Sequence, residues 1–416
     1  MELKGGIVLC PSRGQSTECK IVVIKIGGSC LKDGVSLRKS LEKVEKCLEI
    51  GCSPVVVLSA LNGLTDKLLD IIKYNKVNDS SISDSILSEG ELLSTRIIYK
   101  ILTHKNHRSK IIDINKDNFP IVVSKDEDSI NIDIKETRVK LQTTLKPLIE
   151  KETIPIIPGF VGKTKEKEIT TLGRGGSDTT AVLVGSLVDA REVVLLKDVP
   201  GILRCDPNIS ISNKIIDKIN VHRAVELGLT GGKVINPDAL KYKRKNTDIR
   251  IVDYDNDDFL EEGTKITGSI DITTKAKIHE SKVLISLVFH SNTSYLDKYS
   301  KSALNDCKDS VYAFKSDTTY SICIEKTDLK KTVNHLHRLI KENDDNIAIG
   351  LKEDISLIEI KSNYILNFSD IFSRIYQELC NNSISVVNSK FDSNELYVIV
   401  DNQDVEKLKN ILKVIK

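Results

Sequence analysis

Short apolar runs alternate with helical apolar spacing through the first 270 residues. Ile21 to Ile26 is apolar except for Lys25; Leu37, Leu41, Val44 and Leu48 then recur at the helical period, and Val55 to Leu58 is apolar again. Such runs predict strands, and the 3.6-residue period between them predicts a helix. Strand, helix, strand in that order predicts a parallel sheet covered by helices, an α/β three-layer sandwich. Pro155 to Val161, Val193 to Leu196 and Ile249 to Val252 read as further strands. Ligands of such sheets gather at the loops after the strands' carboxyl ends.

Beyond residue 270 the pattern becomes that of two small α+β units. Strands at Val283 to Phe289 and Thr319 to Ile324 precede a helix with Leu329, Val333, Leu336 and Ile340 on one face, and Ile347 to Leu351 closes the unit. Next come a strand at Ser356 to Ile360 and a helix carrying Phe368, Ile371, Ile375 and Leu379. Strands at Ile384 to Val387 and Leu396 to Val400 follow, then a helix with Val405, Leu408, Ile411 and Ile415. This βαββα unit stops one strand short. The expected division is an extension over 1–20, a domain over 21–270, and small units over 276–352 and 353–416. Of 22 glycines only Gly350 lies beyond residue 269, so the close-approach loops belong to the first domain.

A chain of 416 residues suits two or three domains. With 61 basic against 59 acidic residues it has no charge excess for a polyanionic surface, so nucleic acid is not an expected partner. No run of about 18 apolar residues exists to cross a membrane. The nine cysteines are scattered from Cys10 to Cys380 without a CxxC pair, which suits a reducing, cytoplasmic setting. The five-residue apolar stretch ending at Cys10 is too short for a signal-peptide core.

Candidate chemistry sits in the loops of the first domain. Lys25-Ile26-Gly27-Gly28-Ser29 ends the first strand: two glycines let backbone amides approach a phosphate and the lysine adds a mobile charge, although a plain turn with a solvated lysine is the alternative. Thr65 follows the second strand and can cap the helix carrying Leu68, Leu69 and Ile72. Glu91, in Gly90-Glu91-Leu92-Leu93-Ser94, is by itself readable as a surface charge. The run from Thr170 to Asp178, TTLGRGGSD, puts three glycines, Arg174, Ser177 and Asp178 at the start of a helix over Thr179 to Val188, an arrangement suited to anions. Its Arg fork matches a carboxylate bidentately. Lys197-Asp198-Val199-Pro200-Gly201 and Gly231-Gly232-Lys233 add two further lysine-bearing loops. Gly162-Lys163-Thr164 is not a Walker loop, because Ile157 occupies the required glycine position.

In order and spacing these segments resemble the aspartate kinases of the amino acid kinase superfamily, whose motifs read KFGGTS, SA-x-x-G-x-T, GE-x-x-S, TTLGRGGSD, TDVPGI with a following DP, and GAKVLHP. The resemblance spans residues 20 to 270, and the two following units resemble paired ACT domains. It implies an amino acid kinase fold and transfer of the γ-phosphate of ATP to the β-carboxylate of L-aspartate, with Mg2+ as cofactor. It also implies a place in lysine, threonine and methionine biosynthesis and a homodimer or higher oligomer built through the ACT-like units. By the same resemblance Lys25 stabilises the transferring phosphoryl group, with Gly27 and Gly28 touching it. Thr65, Glu91, Arg174 and Ser177 bind aspartate, Glu91 facing its ammonium and Arg174 a carboxylate. Asp178 organises the lysine and the magnesium, and Lys197, Asp198 and Lys233 fall at nucleotide-contacting positions. The chain departs from the family at Ser29-Cys30 for Thr-Ser, Lys197 for threonine, Leu203 for an aromatic residue, Asn208 for arginine and Asn236 for histidine. Kinases of this fold with another acceptor and a non-catalytic regulatory relative remain as alternatives.

Overall fold

A computed structural model describes residues 21–415 apart from 126–129, 206–208, 210–213, 233–234, 271–272, 290–311, 317, 344–346, 363–367 and 393. The expected extension over 1–20, Lys233 and Asn208 therefore lie outside the described residues. The chain divides into two compact units, Met1–Ile270 and Asp271–Lys416.

In the first unit the described elements run β1 (Ile21–Ile26), α1 (Gly34–Glu49), β2 (Ser53–Leu58), α2 (Leu64–Tyr74), α3 (Ser80–His104), β3 (Ser109–Ile111), β4 (Val123–Lys125), β5 (Ile130–Ile132) and α4 (Ile134–Glu150). They continue with β6 (Ile154–Pro158), β7 (Val161–Lys163), β8 (Ile169–Thr171), α5 (Gly176–Leu187), β9 (Glu192–Lys197), β10 (Lys218–Asn220), α6 (Val221–Leu229), α7 (Pro237–Leu240), β11 (Asp248–Asp253) and β12 (Thr264–Thr267). Eight strands form one sheet in the order β10-β12-β11-β9-β1-β2-β6-β3, parallel except where β11 meets β12. The apolar runs are continuous because both faces are covered. Val22, Ile24 and Ile26 pack with Leu41, Val44 and Cys47 of α1 and Ile98 and Leu102 of α3. On the other face Val23 and Val193 meet Gly185 of α5, where an added Cβ would lie 2.2 Å from Val193. α1 starts on a capping box: Asp33 accepts from the amides of Val35 and Ser36, and the Ser36 hydroxyl accepts from the Asp33 amide.

Three local expectations change. The run Pro155 to Val161 is not one strand; it breaks between β6 and β7 at Phe160, whose φ of 68° cannot continue an extended chain. Thr65 does not cap α2: Gly63, left-handed at φ 72°, holds that place, and Thr65 lies inside the first turn. The helix expected from Thr179 starts at Gly176, so Ser177 and Asp178 belong to its first turn.

The second unit is one six-stranded antiparallel sheet. Its elements are β13 (Thr274–Phe289), β14 (Tyr312–Lys315), β15 (Thr319–Glu325), α8 (Leu329–Asn343), β16 (Ile347–Ser362), α9 (Phe368–Asn381), β17 (Val386–Asp392), β18 (Glu395–Asp401) and α10 (Val405–Ile415). The order is β14-β15-β13-β16-β18-β17. The expected boundary at 352/353 falls inside the continuous strand β16, and β17 begins at Val386 rather than Ile384. The strand that the last unit lacked is the first half of β13: Thr274 to His279 pair with Ser362 to Leu357. Reciprocally, Ile347 to Leu351 pair with the second half of β13 and pack, at Ile347 and Ile349, in the core that contains Leu336 of α8.

Candidate active site

β1, β2, β6 and β9 run parallel, so their carboxyl ends and the loops after them share one edge of the sheet. β1 is a switch point: the chain passes from it to β2 on one side and later returns at β9 on the other. Lys25, next to last in β1, alternates onto the face of Val23, toward α5. There its ammonium meets Asp178 Oδ1 at 2.7 Å. Lys197, the last residue of β9, donates to Asp178 Oδ2 at 2.8 Å. One buried carboxylate thus bridges two lysines. Burial pushes the Asp178 carboxyl up, but the two ammonium groups outweigh it and hold it at about 2. Burial draws Lys25 below its ordinary value, a pull that Asp178 opposes. Lys25 is therefore an enclosed residue of the strand, not a solvated edge residue.

Gly27 and Gly28 leave room for this cluster. A Cβ on Gly27 would stand 3.3 Å from the Lys25 ammonium and 3.2 Å from the Leu196 carbonyl, and one on Gly28 would stand 3.3 Å from the Ala60 carbonyl. The turn after β2 and the helix α3 are tied together: the Ala60 amide donates to Glu91 Oε1 at 3.2 Å, and the Ser94 hydroxyl donates to the Ser59 carbonyl at 2.7 Å. Gly90 permits this contact, since a Cβ there would meet that of Ala60 at 2.9 Å. Glu91 is buried, not a surface charge, and its Oε2 has no hydrogen-bond partner. Burial pushes this carboxyl up to about 7, while the Ala60 amide and Lys25 pull the other way.

The glycine-rich loop is held from two sides. The hydroxyls of Thr170 and Thr171 donate to the two oxygens of Asp84 on α3, at 2.8 and 2.7 Å. The Asn236 side-chain amide donates to the Arg174 carbonyl, while Asn236 Oδ1 caps α7. Gly173 and Gly175 are left-handed, and a Cβ on Gly175 would lie 2.4 Å from that of Asn236. Arg174 is exposed on this loop. α5 has no side-chain cap, and although the Gly176 amide donates to the Gly173 carbonyl at 3.0 Å, the Ser177 and Asp178 amides that follow it are placed to meet an anion. Ser177 packs on Gly159, where a Cβ would approach Ser177 Cβ to 2.8 Å.

The structure thus joins Lys25, Gly27, Asp178 and Lys197 directly, and links Gly28 and Glu91 through Ala60. Thr65 is half-buried in the first turn of α2, and Asp198 is exposed next to Lys197. Gly159 and Asp84 are supporting residues that motif reading left out, of which only the Pro158-Gly159 pair carried a local signal, that of a turn, while Ser94 and Asn236 stood in the quoted motifs without an assigned role. The expected role of Asp178 toward magnesium fits poorly, because each oxygen faces an ammonium. Among the described residues no group of three acidic, histidine or cysteine side chains could hold a metal ion.

A helix-covered, mainly parallel sheet with two lysines and an uncapped helix N-terminus at its carboxyl edge defines an α/β protein with positive charge gathered at the loops after its strands. The profile of the amino acid kinase family matches residues 20–253, more than half of the chain, and the chain belongs to that family. It is 26% identical over 433 residues to the chloroplastic aspartokinase 2 of Arabidopsis thaliana, covering 96% of this chain and 76% of that one. It is 25% identical to an aspartokinase of Rickettsia felis, covering 95% and 99% of the two chains. Among solved structures it is similar to the aspartate kinase of Synechocystis, with a TM-score of 0.69 at 19% identity, covering 94% of this chain and 68% of that one. E. coli aspartokinase III, solved with aspartate and ADP, gives 0.54 at 21% identity, covering 94% and 100%. Among the described residues no helix is long and apolar enough to cross a membrane.

Proposed function

We propose that this chain is an aspartate kinase that transfers the γ-phosphate of ATP to the β-carboxylate of L-aspartate, giving 4-phospho-L-aspartate. The observation that carries this reading is Glu91: a buried carboxylate with one oxygen unpartnered, on the sheet edge that also holds the Lys25–Asp178–Lys197 cluster. A buried carboxylate without a partner is costly, and a substrate ammonium is the partner that relieves it. The aspartokinase names of the relatives agree with that chemistry.

In this reading Glu91 takes the ammonium of aspartate, the Arg174 guanidinium takes a carboxylate, and Thr65 and Ser177 flank the bound amino acid. The attacking carboxylate, with an ordinary pKa of about 3.9, is already ionised and needs no general base. The obstacle is repulsion between anions, so catalysis consists of positioning and positive charge. Lys25 and the backbone at Gly27 and Gly28 neutralise the transferring phosphoryl group, Asp178 fixes the lysines, and Lys197, Asp198 and Lys233 bind the nucleotide. Magnesium belongs to the ATP phosphates in this scheme rather than to a cage of side chains. The domain at 21–270 is the catalytic one. The interleaved ACT-like units over 276–416 join copies of the chain into a homodimer or higher oligomer, and the enzyme works in the cytoplasm, in lysine, threonine and methionine biosynthesis.

A panel of acceptors tests the assignment. Aspartate should be phosphorylated at least about 100-fold more efficiently than glutamate, acetylglutamate or a nucleoside monophosphate, the selectivity of a site whose buried polar groups go unpaired with the wrong substrate. Equal rates across the panel would remove the acceptor assignment.

A further inference from the structure

One face of α3 carries both Asp84 and Glu91. They stand two helical turns apart, about 10 Å along the axis, so the helix fixes their separation. Asp84 reaches from there to the glycine-rich loop. Its two oxygens accept from the hydroxyls of Thr170 and Thr171 at 2.8 and 2.7 Å, and both threonines are buried. The Lys125 ammonium is a looser neighbour of that carboxylate: it donates to the Ser80 hydroxyl at 2.8 Å and stands 3.7 Å from Asp84. Thr170 and Thr171 lie on β8, which among the described residues pairs with β7 in a two-stranded ladder outside the eight-stranded sheet. So short a ladder is marginal alone and takes its position from what it is tied to. Arg174 follows Thr171 by three residues, so the tie at Asp84 governs where the Arg174 end of the site lies relative to Glu91.

We infer that Asp84 is a positioning residue for the acceptor: through the hydroxyls of Thr170 and Thr171 it holds the glycine-rich loop at a set distance from α3, so that Glu91 and Arg174 grip the amino acid together. The inference rests on the kinase reading and names what aligns the two ends of its acceptor site. Neither Asp84 nor the two threonines touches a substrate in that reading. Their part is to remove freedom from the loop before aspartate arrives, so that binding does not have to order it. A loop released from α3 still carries Arg174, but no longer at the distance that an amino acid held by Glu91 requires.

The test is steady-state kinetics of the full-length protein with aspartate and ATP varied in turn. Asp84→Ala should raise the KM for aspartate by at least about 10-fold, the worth of one hydrogen bond to a charged group, while kcat and the KM for ATP stay within about 3-fold. Thr170→Val combined with Thr171→Val should do the same, and adding Asp84→Ala to that pair should raise the KM no further, because all three changes cut one tie. Asp84→Asn should stay within about 3-fold of the unmodified chain, since its oxygen accepts from one threonine and its amide donates to the other hydroxyl. A fall in kcat with the KM for aspartate unchanged, or additive effects of Asp84→Ala and the threonine pair, overturns the inference. If Asp84→Ala does not fold, Thr171→Val alone, which removes one hydroxyl at nearly constant volume, carries the same KM test. An unmodified chain that phosphorylates aspartate, with an aspartate KM that Asp84→Ala leaves in place, sinks this inference alone; an unmodified chain that does not phosphorylate aspartate sinks it together with the kinase reading.

Discussion

Lys25 in β1 and Asp178 in the first turn of α5 form an ion pair of 2.7 Å, each almost fully enclosed, and Asp178 uses its other oxygen for Lys197. The geometry makes Asp178 the hub and Lys25 one of two spokes. Lys25→Met should therefore lower kcat by about 100- to 1,000-fold, the loss typical of one transition-state donor. Its fold should survive, because Asp178 keeps Lys197. Asp178→Ala should destabilise more, by about 3 kcal/mol, since two enclosed ammonium groups then face each other without a counter-charge. Denaturant melts of the two variants check the ranking; a Lys25→Met protein less stable than Asp178→Ala would reverse it.

Glu91 separates binding from stability. With its carboxyl at about 7 in the free protein, aspartate affinity should weaken as pH falls below 7, because the protonated form cannot accept the substrate ammonium. Glu91→Gln should raise the KM for aspartate by at least about 10-fold, with a much smaller effect on that for ATP. The sign for stability is opposite. A carboxyl raised from 4.5 to about 7 loses folding free energy as pH rises through that window, so Glu91→Gln should stabilise the free protein above pH 7, by up to about 3 kcal/mol. Thermal melts at pH 5 and pH 8 should show the gain only at pH 8; equal melting temperatures at pH 8 would count against the buried ionised state.

The Gly175 turn is fixed by close approach as well as by φ. Gly175→Ala puts a methyl group 2.4 Å from Asn236 Cβ in a left-handed conformation, and should displace Asn236 from the Arg174 carbonyl. Aspartate KM should rise with little change in that for ATP. Adding Asn236→Gly removes the clashing side chain and should recover part of the stability lost. No recovery in the double variant would mean that backbone strain alone is responsible.

In the second unit, Ile278 on the first half of β13 packs against the core containing Leu379 of α9 and Leu408 of α10. Ile278→Asp should expose α9 and α10 to hydrogen exchange before α8, whose core is built on the second half of β13. Simultaneous loss of all three helices would show that the unit opens as one body.

The parallel sheet, the TTLGRGGSD loop and Lys25 were legible because they rest on local signals: continuous apolar runs, helical spacing, and glycines at strand ends. What escaped depends on pairing between distant segments. Nothing near Ala276 or Ile278 reveals that this half-strand completes a unit whose other strands begin at Ser356, because periodicity reports which face is buried and not which strand lies alongside. Burial of Lys25 and Glu91 was hidden for the same reason. Charged side chains are exposed by default, and only Asp178 and the Ala60 amide, both brought from elsewhere, make enclosure tolerable. The double occupancy of Asp178 was equally hidden: Lys197 reads as a departure from a motif until β9 is set beside β1.

The central claim is phosphoryl transfer to the side-chain carboxylate of aspartate, and trapping the product tests it most directly. Full-length protein incubated with ATP, magnesium, L-aspartate and hydroxylamine should accumulate aspartyl β-hydroxamate with one ADP released per hydroxamate. Formation should depend on both ATP and aspartate and fall to background in Lys25→Met. ADP release without hydroxamate, or hydroxamate formed equally well by Lys25→Met, would contradict the account.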